Sequence, residues 1–422
     1  MALLCGPFGT ASEAGKRPME RLKPFVQLGS RATGTPGNRV AARMVMDAFQ
    51  EAGIQDLFVQ SFFQPVAVDQ GATLRVEGRS EEIKLFPLLP NHVRSCHLPP
   101  EGLKGPLLYA GDGSYRRFDG QAVQGGIVLL DFNCQQRWLN AATLGARAVV
   151  FIEPEDTIRT EAEQKFLRVP LHMPRFWIER EKGLLLAGTV SGGGTDAVLR
   201  CEMPWQNEKT CNVCGLVRGT DPELAKQCIV IQAHYDSTSI VPSLAPGAEG
   251  GASLVLLLEL ADRVAASPPK HSVLFLATGA HYQALAGTRE FCRALGKEGE
   301  ERKKRLDELE QRLGEATLAA RGEGEESFAA GETARLLEGE WKLLRALDPY
   351  EIPLFFSLDI TSRSPLLSLA YVGWFYQQSH LLRFFSPIGK SFISHAEELY
   401  PEDVENAREK IYDQFINQTE EL

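Results

Sequence analysis

The feature that most constrains the fold is an alternation of apolar runs between residues 227 and 277. Residues 227–232 (QCIVIQ) and 271–277 (HSVLFLA) are nearly continuous apolar runs, as expected of strands buried on both faces of a sheet. Residues 252–265 (ASLVLLLELADRVA) lie between them and are typical of an apolar helix. This alternation predicts an α/β fold, with a mixed but mostly parallel sheet and helices on both faces.

A different pattern precedes this one, and a chain of 422 residues is long enough for more than one domain. Between residues 62 and 202, short β-rich runs such as GGIVLLDF and ARAVVFIE are separated by Gly, Pro and Asp. They predict a small β-rich domain inserted into the α/β domain. The α/β domain would then comprise residues 20–61 and 203–422, after an N-terminal tail of residues 1–19.

Two segments near the chain ends are predicted to be helical. Residues 20–53 contain a Gly- and Pro-rich loop at 31–39, and Asn38 is the expected N-cap of the helix that follows. Residues 401–422 are predicted to form an acidic amphipathic helix. Before it, residues 353–360 (PLFFSLDI) are predicted to form another buried strand.

A highly charged insertion at residues 297–347 is predicted to form a helical hairpin with a turn near residue 322. Its first helix carries Leu306, Leu309 and Leu313 along one narrow stripe. Two interpretations remain open: a solvated surface elaboration, or a projecting arm that docks a partner through this stripe.

Composition excludes several functional classes. With 55 Asp and Glu against 45 Lys and Arg, the net charge is -10, which gives no general attraction for nucleic acid or anionic lipid. No run of about 18 apolar residues predicts a membrane-spanning helix. The apolar run at residues 1–5 is too short for a signal-peptide core. The chain as written is therefore expected in the cytoplasm, or outside it if an upstream export signal has been removed.

The eight cysteines are scattered and do not form the framework of a disulfide-rich domain. Only Cys211 and Cys214 form a CxxC pair, which is compatible with redox chemistry or half a zinc site. The pair lies in a predicted strand, where positions three apart face opposite sides. A structural role is therefore favoured for both.

Polar side chains follow three of the predicted strands. His234 and Asp236 come at the end of the strand at 227–232, His281 follows the next strand, and Asp359 follows the third. In open α/β sheets ligands bind just past the carboxyl ends of the strands. A histidine at such a place can bind zinc, with a nearby carboxylate fixing its tautomer.

Several segments in order resemble the dizinc aminopeptidases of peptidase family M28, which also includes glutamate carboxypeptidase and the non-enzymatic transferrin receptor and nicastrin. The resemblance covers residues 20–373. It is carried by RATGTPGN, NVCGLVRGTDPELAKQCIVIQAHYDS, APGAEGGASLVLLLELA, SVLFLATGAHYQALAGTREF and SLDI. GDGSYRRFDGQAVQGGIVLLDF and AATLGARAVVFIE resemble the protease-associated domain that these proteins often carry. The resemblance implies a zinc-aminopeptidase-like fold with a protease-associated-like domain.

Three of the family's site positions are matched. His234 corresponds to the first zinc ligand, Asp236 to the carboxylate that orients it, and Asp359 to a later zinc ligand. The last ligand of the family is a histidine near the end of the catalytic domain. Neither His380 nor His395 lies in a recognisable match to it.

The remaining family positions are substituted. The aspartate that bridges the zinc ions corresponds to Gly250, and Glu249 lies one residue early. The glutamate that serves as general base corresponds to His281, and the glutamate ligand after it to Tyr282. With two of five ligands matched, too few carboxylates remain to balance two zinc ions, so no two-zinc site is expected.

These substitutions favour a catalytically inactive aminopeptidase-like protein without a cofactor. It would bind a protein partner through its cleft, its protease-associated-like domain or its charged helical arm. The alternative is a mono-zinc aminopeptidase using His234, His281 and Asp359, with Glu249 as base. A nucleophile arrangement of His234, Asp236 and Ser237 is less favoured, because neighbours on one strand do not make the contacts of a triad. A further interpretation is a fragment of a longer protein.

Overall fold

A computed structural model describes residues 16–89, 95–165, 171–190, 194–246, 248–296, 300–322, 324–360, 368–371 and 374–377. The chain divides into two compact units, Met1–Ile360 and Thr361–Leu422. The first unit contains the elements on which the candidate site is built.

A five-stranded sheet forms the centre of the first unit. In spatial order its strands are β1 (Asp56–Ala67), β9 (Trp205–Val217), β11 (Ser272–Thr278), β10 (Gln227–His234) and β12 (Glu351–Ser357). Strand β10 pairs in parallel with β11 and with β12, whereas β9 is antiparallel to both β11 and β1. The sheet is therefore mixed, and the expected predominance of parallel strands is not confirmed.

Helices cover both faces of this sheet, as predicted. On one face, α1 (Lys16–Gln27), α2 (Pro36–Glu51) and α6 (Ala248–Ala266) pack on Val273 and Phe275 or their neighbours. On the other, α7 (Ala286–Leu295) and α9 (Glu325–Leu347) pack on Leu274 and Leu276. Successive residues of a strand point to opposite faces, so the continuous apolar run of β11 supplies both cores.

The β-rich region folds into a closed seven-stranded barrel with the order β2-β3-β7-β6-β5-β4-β8. Its strands are β2 (Gly71–Val76), β3 (Glu82–Pro87), β4 (Leu103–Tyr109), β5 (Ile127–Asp131), β6 (Ala148–Ile152), β7 (Arg175–Ile178) and β8 (Thr195–Glu202). Its helices are α3 (Trp138–Thr143), α4 (Arg159–Glu163) and α5 (Arg180–Val190). Closure leaves the sheet without free edges.

The barrel begins later than residue 62. Residues 62–67 belong to β1, which pairs with β9 over its whole length from Asp56↔Leu216 to Ala67↔Trp205. The β1–β9 ribbon thus joins the barrel to the main sheet. Composition did not reveal this boundary, because both parts are equally β-rich at this point.

The cap predicted for α2 is also misplaced. Thr35 is the N-cap, and its side chain accepts a hydrogen bond from the Asn38 amide, while Pro36 occupies the first turn. Asn38 lies inside the helix and is fully buried. Its side-chain amide donates to the Arg31 carbonyl at 3.0 Å.

The charged insertion forms the predicted helical hairpin of α8 (Glu300–Ala319) and α9. Leu306 and Leu309 are buried against Leu337 and Leu344 of α9. Helix α9 also lies directly on β1, so that a Cβ at Gly339 would collide with the Val59 carbonyl. The leucine stripe therefore holds the hairpin together, and its proposed use as a docking surface is wrong.

The strand at residues 353–360 is less buried than predicted. Leu354, Phe355 and Phe356 of β12 are 37–39% exposed, because β12 is the edge strand of the described sheet. In the second unit, the described residues form an antiparallel pair, β13 (Ser368–Tyr371) and β14 (Trp374–Gln377). Within the described ranges, no helix has both the length and the apolar character needed to span a membrane.

The packing of the hairpin can be tested with two leucines of α8. Leu309 is 0% exposed and Leu318 is 64% exposed. Leu309→Ala is expected to lower the unfolding free energy by about 2–5 kcal/mol, because it leaves a cavity in the hairpin core. Leu318→Ala is expected to change it by at most about 0.5 kcal/mol. Urea denaturation of both variants measures the difference, and equal effects would contradict the internal packing of the stripe.

Candidate functional site

The candidate site lies where three parallel strands end at one edge of the sheet. His234 is the last residue of β10, and Tyr235, Asp236 and Ser237 follow it. His281 and Tyr282 follow β11, and Asp359 follows β12. Gly250 comes from the first turn of α6. The parallel register of β10 with β11 and β12 brings these segments together.

The segment that carries His281 has an unusual backbone. Ala280, Ala284 and Leu285 all have positive φ angles, between 52° and 57°. Non-glycine residues rarely adopt this conformation, and it costs about 1–2 kcal/mol per residue. The Leu285 amide donates to the His281 carbonyl at 2.8 Å, which closes the turn. This tight turn places His281 over His234.

The two histidine rings are stacked on each other. Their centroids are 4.1 Å apart and their planes differ by 20°. The ring of Tyr282 meets both edge-on, at 5.3 Å from His234 and 5.0 Å from His281. The three rings therefore form one compact aromatic cluster at the strand ends.

Asp236 connects the two histidines. Its carboxylate lies 3.3 Å from Nδ1 of His234 and accepts a hydrogen bond from the His281 amide at 2.9 Å. Asp236 is 1% exposed. The orienting role that the resemblance implies for it stays a prediction. Its hydrogen bond to the other loop could not be read from the sequence.

Arg31 is a buried cation beside this carboxylate, and sequence reasoning did not identify it. It is 0% exposed. Its Nε donates to the Tyr235 carbonyl at 2.9 Å, and Nη1 donates to the carbonyls of Phe25 and Pro246 at 3.0 and 2.6 Å. Burial lowers the pKa of Arg31, and the charge of Asp236 is the main opposing influence. One arginine in a Gly- and Pro-rich loop has no pattern that marks it as buried.

His281 is held in its neutral form near neutral pH. Burial lowers its pKa, the neighbouring His234 lowers it further, and the carboxylates of Asp236 and Asp359 oppose these effects. Its Nδ1 atom is buried and has no hydrogen-bond partner within the described residues. Asp359 thus lies within electrostatic range of His281, although its side chain is exposed.

Ser237 does not act with a histidine. Its hydroxyl accepts the Arg31 amide at 2.8 Å and contacts the Ala245 carbonyl at 3.5 Å. It is buried at 2% exposure. The triad considered for His234, Asp236 and Ser237 is therefore not formed.

A pair of zinc ions does not fit this arrangement. A Cβ added at Gly250, the position that the resemblance matches to the bridging aspartate, would lie 2.8 Å from Cε1 of His234. The same point lies 3.5 Å from the Tyr282 hydroxyl. The space that a bridging carboxylate would need is therefore taken by the ring of His234 and the hydroxyl of Tyr282.

One zinc shared by the two histidines does not fit either. An imidazole binds a metal through a lone pair in its ring plane, at about 2.0–2.1 Å. A metal ion bound by both histidines must then lie in both ring planes. The two stacked rings are tilted by only 20°, so their planes intersect much farther from the ring nitrogens than a zinc–nitrogen bond length. Among the described residues, no three His, Cys, Asp or Glu side chains are placed to hold a metal ion.

The CxxC pair is also not a metal site in the described residues. Cys211 and Cys214 both lie in β9, and Cys214 is fully buried. Burial raises the pKa of both thiols, which keeps them protonated and unreactive.

The structure brings together five of the positions that the sequence singled out: His234, Asp236, Gly250, His281 and Tyr282. Asp359 lies near this group. The side chain of Glu249 lies outside the described part of the structure, as do His380 and His395. Nothing in the structure bears on the roles considered for these three residues.

The match of one segment to a known family agrees with the resemblance seen in the sequence. Residues 212–337 match the model of Peptidase family M28. A zinc aminopeptidase from Bacillus subtilis, BSAP, is 24% identical, with a TM-score of 0.48, covering 69% of this chain and 66% of its own. An aminopeptidase from Aneurinibacillus sp. strain AM-1 is 19% identical, with a TM-score of 0.37, covering 79% of this chain and 91% of its own.

A peptidase M28 precursor from Shewanella amazonensis is 16% identical, with a TM-score of 0.44, covering 69% of this chain and 68% of its own. This chain spans just under two thirds of the Bacillus subtilis structure. No curated protein sequence matches it significantly. The segment at residues 212–337, which carries His234, Asp236, Gly250, His281 and Tyr282, is therefore similar to peptidase family M28.

Proposed function

We propose that this protein is a catalytically inactive relative of the zinc aminopeptidases that acts by binding a protein partner. The observation that carries the proposal is the contact of Gly250 with the stacked ring of His234. A Cβ at this position would come within 2.8 Å of that ring, so the metal-bridging side chain is missing and its space is occupied.

The charges of the cluster support this proposal. Two zinc ions bring four positive charges, which must be balanced by carboxylates or hydroxide. His281 is neutral, Tyr282 carries a phenol with a reference pKa of about 10, and Gly250 has no side chain. Asp236 is already engaged with both histidines and lies near the buried Arg31. Among the carboxylates of the described site residues, only that of Asp359 makes no hydrogen bond or ion pair.

The chemistry of peptide hydrolysis also lacks its base. The family's general base corresponds to His281, whose ring is stacked on His234 and whose amide is bonded to Asp236. A general base must come within hydrogen-bond reach of the water that it activates. The Nδ1 atom of His281 is buried, which shields this nitrogen from bulk water and supports a packing role for the ring.

The rim of the site supports a binding role. Tyr282 and Leu285 are 43% and 48% exposed and lie in the same tight turn. Leu285 adopts a left-handed conformation while its apolar side chain faces solvent. Backbone strain of this kind persists where the surroundings enforce it, and it clusters at active sites, ligand clamps and switch regions. The cleft rim is therefore the surface that we assign to the partner, ahead of the barrel and the helical hairpin.

The mono-zinc aminopeptidase remains the alternative, and one observation favours it. Asp359 is close enough to His281 to raise its pKa, so the site contains two histidines and one carboxylate that could serve as zinc ligands. It would require the two stacked rings to separate and turn toward a common point.

Zinc content and peptidase activity decide between these functions. We expect protein purified without chelator, and then dialysed against zinc, to retain no more zinc than its His234→Ala variant. We also expect no hydrolysis of leucine p-nitroanilide above that variant. One zinc per chain that is lost in both His234→Ala and His281→Ala would establish the alternative. Two zinc ions with activity would overturn the proposal.

A substitution at Gly250 tests the geometry itself. Gly250→Ala is expected to lower the unfolding free energy by about 1–3 kcal/mol, because its Cβ overpacks the ring of His234. Gly314 lies in α8 with no atom within 4 Å of an added Cβ. Gly314→Ala is expected to raise stability by roughly 0.5–1 kcal/mol, as for any open helical glycine.

The two glycine variants are compared by urea denaturation. When His234 is also replaced by Ala, the decrease in unfolding free energy caused by Gly250→Ala is expected to fall by at least half, because the clashing ring is gone. A Gly250→Ala protein as stable as Gly314→Ala would show that the ring of His234 lies elsewhere in solution, as a metal-binding arrangement requires.

A further inference from the structure

A cavity of about 270 Å³ lies at the opposite edge of the sheet from His234. It is bounded by the start of β1, the end of β9 and the last turns of α9. Val217, at the end of β9, pairs with Val273 near the start of β11, whereas the candidate site follows the end of β11. This cavity is therefore separate from the histidine cluster.

The walls of the cavity carry an excess of positive charge. Arg218, Lys342 and Arg345 line it, against a single carboxylate, Asp56. Arg218 Nε lies 2.9 Å from the Asp56 carboxylate, and Lys342 pairs with Glu338 at 2.6 Å. Arg345 has no ion-pair partner among the described residues. The three cations thus exceed their two carboxylate partners by one positive charge, which is that of Arg345.

The floor of the cavity is apolar and aromatic. Phe58 of β1, Leu216 of β9 and Trp341 of α9 line it. Leu216 is buried and Phe58 is half-buried. The indole Nε1 of Trp341 is buried and has no hydrogen-bond acceptor within the described residues.

We propose that this cavity binds a small organic anion with an apolar body. The anionic group would pair with Arg345 and Lys342, and the apolar body would pack on Phe58, Leu216 and the ring of Trp341. Guanidinium groups recognise carboxylate and phosphate alike, so both are included. The volume lies just below the range of about 300–1,000 Å³ that is usual for drug-sized ligands, which restricts the ligand to a small molecule.

The indole N–H signal of Trp341 reports binding directly. The chain has five tryptophans, and the Trp341→Phe variant identifies the signal of this one in a nitrogen–proton spectrum. The full chain is titrated with N-acetylphenylalanine, with phenyl phosphate, and with the uncharged N-acetylphenylalanine amide. We expect the Trp341 signal to move saturably with at least one of the two anions and not with the amide. The anion that binds more tightly distinguishes a carboxylate ligand from a phosphate ligand.

Charge variants test the assigned contacts. The double variant Lys342→Gln and Arg345→Gln is expected to weaken anion binding at least about tenfold, the equivalent of 1.4 kcal/mol. Asp56→Asn is expected to tighten it, because it removes the carboxylate that occupies Arg218. Arg335→Gln is the matched control, since Arg335 is an exposed arginine of the same helix outside the cavity.

Three results would overturn the proposal. The first is a Trp341 signal that neither anion moves. The second is equal binding of the amide, which would show that charge plays no part. The third is an unchanged affinity for the anions in the double variant Lys342→Gln and Arg345→Gln. The thermal unfolding midpoint of this variant must match that of Arg335→Gln, which shows that it is folded.

Discussion

The carboxylate of Asp236 is the interaction on which the candidate site depends. It is nearly inaccessible to solvent, and a buried charge is tolerated only when it is paired and hydrogen-bonded. Its Oδ1 lies 3.3 Å from Nδ1 of His234, and its Oδ2 accepts a hydrogen bond from the amide of His281. It therefore fixes the end of β10 to the turn after β11, and the stacking of the two histidines follows. Arg31 supplies a nearby positive charge and ties the same segment to the N-terminal helices through backbone carbonyls.

This arrangement explains how the cluster keeps its shape without a metal ion in our account. In a zinc site, the ligand side chains point toward the metal ion and contact it, and they do not pack on each other. Here the rings of His234, His281 and Tyr282 contact each other, and the backbone at Gly250 closes on them. Aromatic contacts of this kind contribute about 0.5–1.5 kcal/mol each beyond the burial of their surface. In the function that we propose, these ring contacts hold the cluster together in place of metal–ligand bonds.

Much of the architecture could be predicted because apolar periodicity reports burial directly. Strands β10 and β11 and helix α6 were identified this way, and strand ends pointed to His234, Asp236 and His281. Periodicity says nothing about the direction of pairing, so the antiparallel placement of β9 and the closure of the barrel did not follow from it. The exposure of Phe355 and Phe356 was missed for a related reason: apolar residues predict burial, but the position of a strand at a sheet edge depends on distant segments. Long-range contacts also explain why Arg31 was overlooked, since Tyr235, Ser237 and Pro246, to which it is hydrogen-bonded, lie more than 200 residues away.

We infer that His234 and His281 stack on each other and do not share or bridge metal ions. A crystal grown in the presence of zinc, with diffraction collected at the zinc absorption edge, tests it most directly. We expect stacked rings with the backbone of Gly250 against His234, and no anomalous peak within bonding distance of either histidine. A zinc peak about 2.0–2.1 Å from a ring nitrogen of His234, with the rings turned apart, would contradict it.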